Sequence, residues 1–147
     1  MSTLTDDTRY MKMALDEASK AFDQGEVPVG AVVVCKGRVI ARAYNLTETL
    51  TDVTAHAEMQ AITAAANYLG GKYLNECVLY VTVEPCVMCA GALGWAQIRR
   101  IVFGATDEKR GFQRFAPQAL HPKTEVTAGI MADECAALMK EFFSSRR

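Results

Sequence analysis

Two short stretches hold residues whose types and spacing could do chemistry: Thr54-Ala55-His56-Ala57-Glu58 and Glu84-Pro85-Cys86-Val87-Met88-Cys89. Together they read His-x-Glu followed by Pro-Cys-x-x-Cys. His56, Cys86 and Cys89 offer one nitrogen and two sulfurs. That donor set suits zinc, which accepts borderline and soft ligands in a tetrahedral site. Three protein ligands leave the fourth position to water, as in catalytic rather than structural zinc sites. Glu58, close in sequence to the histidine, then stands where it could move protons to and from that water. A closed structural site would need a fourth protein ligand. Cys77 is the nearest spare cysteine and His121 the only other histidine, and such a site has no use for Glu58.

The elements around these residues must position them. Pro85 lacks a backbone donor and suits the first position of a helix. The sequence therefore predicts a helix from Pro85 to about Gln97, with Cys86 and Cys89 on one face near its N-terminus. Leu93 and Trp95 are expected on its buried side. The positive end of the helix dipole lowers thiol pKa values, and zinc binds the thiolate. His56 and Glu58 are harder to reconcile, because residues i and i+2 do not share a helix face. They reach one ion only if it lies off the first turn of their helix. Thr54 is expected to cap that helix, which runs to about Leu69 and stops at Gly70-Gly71.

Further elements follow from patterning. Thr8–Phe22 reads as an amphipathic helix with Met11, Ala14, Leu15, Ala18 and Phe22 on one stripe. Val29–Cys35 and Arg38–Tyr44 read as a hairpin turned at Lys36-Gly37, the first strand buried on both faces. Val78–Val83 and Arg100–Phe103 are further strands, Gly104–Thr124 is irregular, and a last strand is expected near Glu125–Thr127. Asp133–Phe143 is a closing helix with Cys135, Leu138, Met139 and Phe142 inward. This order predicts one α/β domain over residues 1–147, a mixed sheet with helices on both faces. Both motifs then lie where strands feed helix N-termini, the usual place for sites in α/β folds.

Composition bounds the setting. Of 147 residues half are hydrophobic and the net charge is −1, and no apolar run reaches transmembrane length. A soluble protein without a membrane partner is expected. Met1–Asp7 is polar and acidic, without the basic and apolar regions of an export signal. Five cysteines, two of them in a metal-type pair, fit a reducing cytoplasm better than a disulfide framework. Cys35, Cys77 and Cys135 lie in or beside apolar stretches and are expected to pack in the core. His121, before Pro122, is expected at the surface or as a cap. Residues 97–124 carry Arg99, Arg100, Lys109, Arg110, Arg114 and Lys123 against Asp107 and Glu108, and the chain ends in Arg146-Arg147. Such a stretch could hold phosphates or be a solvated loop. Phe112 and Phe115 could stack on bases there or cover the core.

The His-x-Glu…Pro-Cys-x-x-Cys pattern is the established signature of zinc-dependent nucleobase deaminases. From about Glu26 to Phe143 the chain resembles the bacterial tRNA-specific adenosine deaminases. The segments that carry the resemblance are Gly25–Ala31, Thr54–Glu58, Leu79–Gly91, Val102–Ala105 and Ala132–Cys135. The resemblance implies a cytidine-deaminase-like fold, a three-layer α/β/α domain with a central mixed sheet. It implies a homodimer that converts adenosine to inosine at the wobble position of a tRNA anticodon arm. It also implies one zinc ion on His56, Cys86 and Cys89, Glu58 as proton shuttle, Asn45 against the target nucleotide and Asp107 beside the anticodon loop. Two features depart from it. Glu108–Pro117 replaces a short Gly/Ser-rich turn, and Gly94-Trp95-Ala96 is similar to free-base deaminases, which keeps deamination of free bases or nucleosides as the alternative.

Overall fold

The expected hairpin forms: Lys36 and Gly37 both take positive φ, 51° and 76°, the geometry of a two-residue turn between antiparallel strands. It joins β1 (Gly30–Cys35) to β2 (Arg38–Tyr44) in a computed structural model that describes residues 3–146. Met1 and Ser2 of the N-terminal segment and Arg147 of the terminal arginine pair lie outside the described residues. Three more strands, β3 (Cys77–Val83), β4 (Arg100–Ala105) and β5 (Glu125–Ala128), complete a sheet of order β2-β1-β3-β4-β5. β1 is antiparallel to both its neighbours, whereas β3, β4 and β5 are mutually parallel.

Helices cover both faces. α2 (Ala57–Leu69) and α3 (Val87–Ala96) lie on one, where Ala57, Ala61, Ala65 and Leu93 meet Val33, Leu79, Val81 and Phe103. Alanine at every fourth position of α2 lets the helix approach the sheet closely. α1 (Thr3–Asp23) and α5 (Ala132–Ser144) lie on the other, with Met11, Ala14 and Cys135 against Val32, Tyr80 and Val102. Because alternate β1 residues enter opposite clusters, that strand reads as an unbroken apolar run. The result is the expected three-layer α/β/α arrangement. None of the described helices is long and apolar enough to cross a membrane.

Several expectations are corrected. α1 begins at Thr3, not Thr8, because Asp7 is an anchor: its buried carboxylate accepts from Arg100 and from the Tyr80 hydroxyl. β4 runs on to Ala105, and the irregular segment contains a one-turn helix, α4 (Phe112–Phe115), that drives Phe112 into the core. Leu93 is buried, but Trp95 is 86% exposed on the outer side of α3. Cys77 and Cys135 are buried as expected, with Cys35 partly so. In α5, Cys135 and Phe142 are buried, while Leu138 and Met139 are only half-covered.

Candidate active site

Both motifs meet at helix N-termini, but as caps rather than as first-turn residues. His56 is the N-cap of α2 (φ −68°, ψ 155°) and Cys86 that of α3 (φ −73°, ψ 174°). Neither side chain makes a regular capping hydrogen bond to its own helix. Pro85 therefore precedes the cap, and α3 starts at Val87. Thr54 is not a cap either, since its hydroxyl donates to Asp52 at 2.7 Å. The cap position also removes the i, i+2 difficulty. His56 is extended, Glu58 sits in the first turn of α2, and the two side chains need not share a helical face.

The three candidate ligands converge. His56 Nδ1 lies 3.7 Å from Cys86 Sγ and 3.5 Å from Cys89 Sγ, and the three ligand atoms lie within 4.8 Å of one another. Zinc–sulfur and zinc–nitrogen bonds of about 2.3 and 2.0 Å, set at a tetrahedral angle, put N and S about 3.5 Å apart. The observed spacing fits one ion.

Charge supports the same fit. Three acids, Cys86, Cys89 and Glu58, crowd one imidazole in a partly buried cluster. Hydrogen bonding from Cys89 and then from His56 lowers the Cys86 thiol to about 4, against the opposing effect of burial. Cys89 is pushed up by that same hydrogen bond and by burial. His56 is raised by its contact with Cys86. Glu58 is 3% exposed, and burial, reinforced by the Cys86 charge, raises it to about 7. A dication would favour the charged form of each acid and supply the positive charge that the cluster lacks.

The other expected site residues are held by local hydrogen bonds. Asn45 is buried at the end of β2; its Nδ2 donates to Val27 O at 3.3 Å and its Oδ1 accepts from Thr47 N at 3.4 Å. Its neighbour Leu46 donates to Ala55 O, one residue before His56. Asp107 follows β4, and its Oδ1 accepts from the backbone of Lys109 and Arg110. Of the basic residues, Arg100 is held by Asp7 and does not belong to an outer phosphate surface, whereas Arg99, Lys109, Arg110, Arg114 and Lys123 are exposed. Phe115 is exposed under the Arg114 guanidinium, 5.3 Å from ring centroid to cation. His121 accepts from Lys123 N and fixes its own loop.

Two carboxylates went unnoticed in the sequence. Glu26 is fully buried and accepts from Glu48 N, Thr49 N and the Thr49 hydroxyl, fixing the loop between Asn45 and His56. Burial opposes its ionisation, but these hydrogen bonds prevail and lower its pKa. Glu84 fixes the segment after β4, accepting from Asp107 N and Gln113 N. The available signal was an acid within two residues of a following proline, at Glu26-Val27-Pro28 and Glu84-Pro85.

A metal-fitting His/Cys/Cys cluster and a buried glutamate, set at helix N-termini beside a mixed five-stranded sheet, suit a metal-assisted hydrolytic enzyme of the deaminase type. Comparison with known proteins agrees. The family model described as MafB19-like deaminase matches residues 5–147. The chain is 52% identical to the tRNA-specific adenosine deaminase of Aquifex aeolicus, covering 94% of each protein. It is 43% identical to the one of Bacillus subtilis, over 98% of this chain and 92% of that one. A structure solved in studies of A-to-I editing by tRNA:A34 deaminases superimposes with a TM-score of 0.83 at 45% identity, covering 89% of this chain and 99% of the other. The fold is cytidine-deaminase-like, and the chain belongs to the deaminase family that includes the tRNA-specific adenosine deaminases.

Proposed function

We propose that this protein is a cytoplasmic, single-domain tRNA adenosine deaminase that hydrolyses the wobble adenosine of an anticodon arm to inosine. The observation that carries the reading is the convergence of His56 Nδ1, Cys86 Sγ and Cys89 Sγ beside buried Glu58. The names and nearly full-length identity of the relatives supply the substrate class. His56, Cys86 and Cys89 would hold one zinc ion per chain, and when bound it supplies Lewis acidity that makes water nucleophilic near neutral pH. Glu58, buried beside the three donors, accepts a proton from the attacking water and delivers it to the adenine ring nitrogen. C6 becomes electrophilic, the water oxygen adds there, and Glu58 passes a proton to the departing amino group. Water is consumed and ammonia leaves. Asn45 and Asp107 flank the entering nucleotide from opposite motifs. The target base must leave its stack to reach this pocket, which costs least in a single-stranded loop.

The exposed apolar side chains of α3, Val87, Met88 and Trp95, support a homodimer that covers them. Trp95→Asp should then give a monomer by sedimentation, and an unchanged dimer would place the contact elsewhere. The function itself is tested with purified protein and an anticodon stem-loop carrying adenosine at the wobble position. Free adenosine, adenine, guanine and cytidine are assayed beside it. Inosine in the stem-loop is expected; deamination of a free base with none in the stem-loop would transfer the assignment to the free-base deaminases.

A further inference from the structure

Glu84 closes β3 and leads the chain into Pro85 and Cys86, yet the chemistry above makes no use of it. Its buried side chain reaches a segment remote in sequence. Oε1 accepts from Asp107 N at 2.9 Å and Oε2 from Gln113 N at 3.0 Å. Between these donors the chain turns tightly, with Gly111 N donating to Asp107 O at 2.8 Å. Gly111 packs against the carboxylate so closely that a Cβ there would lie 2.3 Å from it. Gly111 also forms an isolated antiparallel bridge with Cys86, and Phe112 N donates to Pro85 O at 2.9 Å. The 107–113 segment is thus fastened to the same strand–helix turn that presents Cys86.

What this segment shows to solvent is cationic. Lys109 and Arg110 are exposed, and neither has an ion-pair partner among the described residues. Their backbone N–H groups are capped by Asp107 Oδ1, which sets the turn without neutralising the side chains by contact. Two cations on a free loop would meet phosphates at a variable distance from the reacting base. Held by Glu84, their backbone is tied to the turn that presents Cys86.

We propose that Glu84 is a positioning residue: its carboxylate holds Lys109 and Arg110 at a fixed reach from the metal-binding turn, so that they grip backbone phosphates beside the target nucleotide. The proposal rests on the RNA reading above. Glu84→Gln keeps the size of the side chain but turns an NH₂ group toward one of the two backbone donors, so one clamp is lost. The measurements are zinc content, steady-state kinetics on the anticodon stem-loop, and the salt dependence of stem-loop binding. With zinc unchanged, KM should rise about 10-fold, the factor for one hydrogen bond to a charged group, while kcat stays within about 3-fold. The slope of log K against log salt should flatten by roughly one unit. In the Lys109→Ala/Arg110→Ala background, Glu84→Gln should add less than about 2-fold to KM, because the same interaction is already gone.

Gly111→Ala attacks the contact from the loop side and, where its zinc content is unchanged, should reproduce the raised KM and the flatter slope. A purely structural Glu84 would instead lower kcat or zinc content in both variants and leave the salt slope at its wild-type value; that result overturns the proposal. Additive effects of Glu84→Gln and the double alanine variant would overturn it as well. A wild-type protein that fails to deaminate the stem-loop overturns the RNA reading and this proposal together. A wild type that is active and salt-sensitive beside variants with unaltered slope overturns only the positioning role.

Discussion

Asp7 offers a perturbation of the fold that leaves the active site alone. Its carboxylate accepts from Arg100 Nη1 at 2.9 Å, Arg100 Nη2 at 2.7 Å and the Tyr80 hydroxyl at 2.8 Å. The Asp7 side chain is 3% exposed and that of Arg100 15%. In Asp7→Ala the guanidinium keeps Thr127 Oγ1 as a partner but loses its counter-charge, and the Tyr80 hydroxyl loses its acceptor. Removing one member of a buried ion pair costs about 3–5 kcal/mol. Water reaching the partly exposed Arg100 puts the expected loss at the lower end, about 3 kcal/mol. For a chain of this size that is a fall in Tm of about 6–12 °C, read by calorimetry at pH 7. Burial works against ionised Asp7, but the hydrogen bonds from Arg100 and Tyr80 outweigh it and hold its pKa below the ordinary value. The stabilisation is therefore complete above the unfolded-state pKa of about 4 and is lost as pH falls through the lower folded value. Wild type and variant should converge in Tm below that range. A Tm fall under about 2 °C at pH 7, or a gap that persists undiminished in acid, would refute the reasoning.

The remaining predictions concern the site. Glu58→Ala should keep its zinc and its Tm while turnover falls at least about 10²–10⁴-fold, and loss of metal with activity would make Glu58 a ligand. Cys86→Ala should be purified with little zinc by elemental analysis, and full occupancy would remove Cys86 from the ligand set. Lys109→Ala/Arg110→Ala should flatten the salt dependence of RNA binding by roughly one unit per lost phosphate contact without altering zinc content.

Much of the fold was legible because it is written in short-range patterns. The β1 run, the Lys36-Gly37 turn and the Gly70 stop each have a local physical cause, and the structure places each within about a residue of its expected position. What escaped depends on partners distant in sequence. Asp7 looks like tail polarity until Arg100 is brought to it, and Arg100 looks like a phosphate ligand until Asp7 occupies it. Trp95 follows the apolar pattern of α3, yet faces outward. Phe112 and Phe115 read alike, and only the packing of the short α4 turn sends one to the core and the other to solvent. The convergence of His56, Cys86 and Cys89 was legible from spacing, whereas their backbone positions were not.

Those positions carry a consequence of their own. At both motifs a residue of extended conformation is the N-cap, the place where Ser, Thr, Asp or Asn would normally bond the helix's free N–H groups. Here it is His56 or Cys86, and the side chain is turned to the shared centre instead. Forgoing a side-chain cap costs each helix about 1 kcal/mol. In return, the two helix N-termini direct their uncapped donors and dipoles toward the cluster, which favours the thiolate form of the cysteines. Cys86, as the cap, lies closest to that field, and Cys89 follows one turn later on the same helix. A single substitution of either cap by serine would restore a good helix start and remove a ligand at once. Helix stability and the metal-fitting site are thus in direct competition for these two residues, and the sequence resolves it in favour of the site.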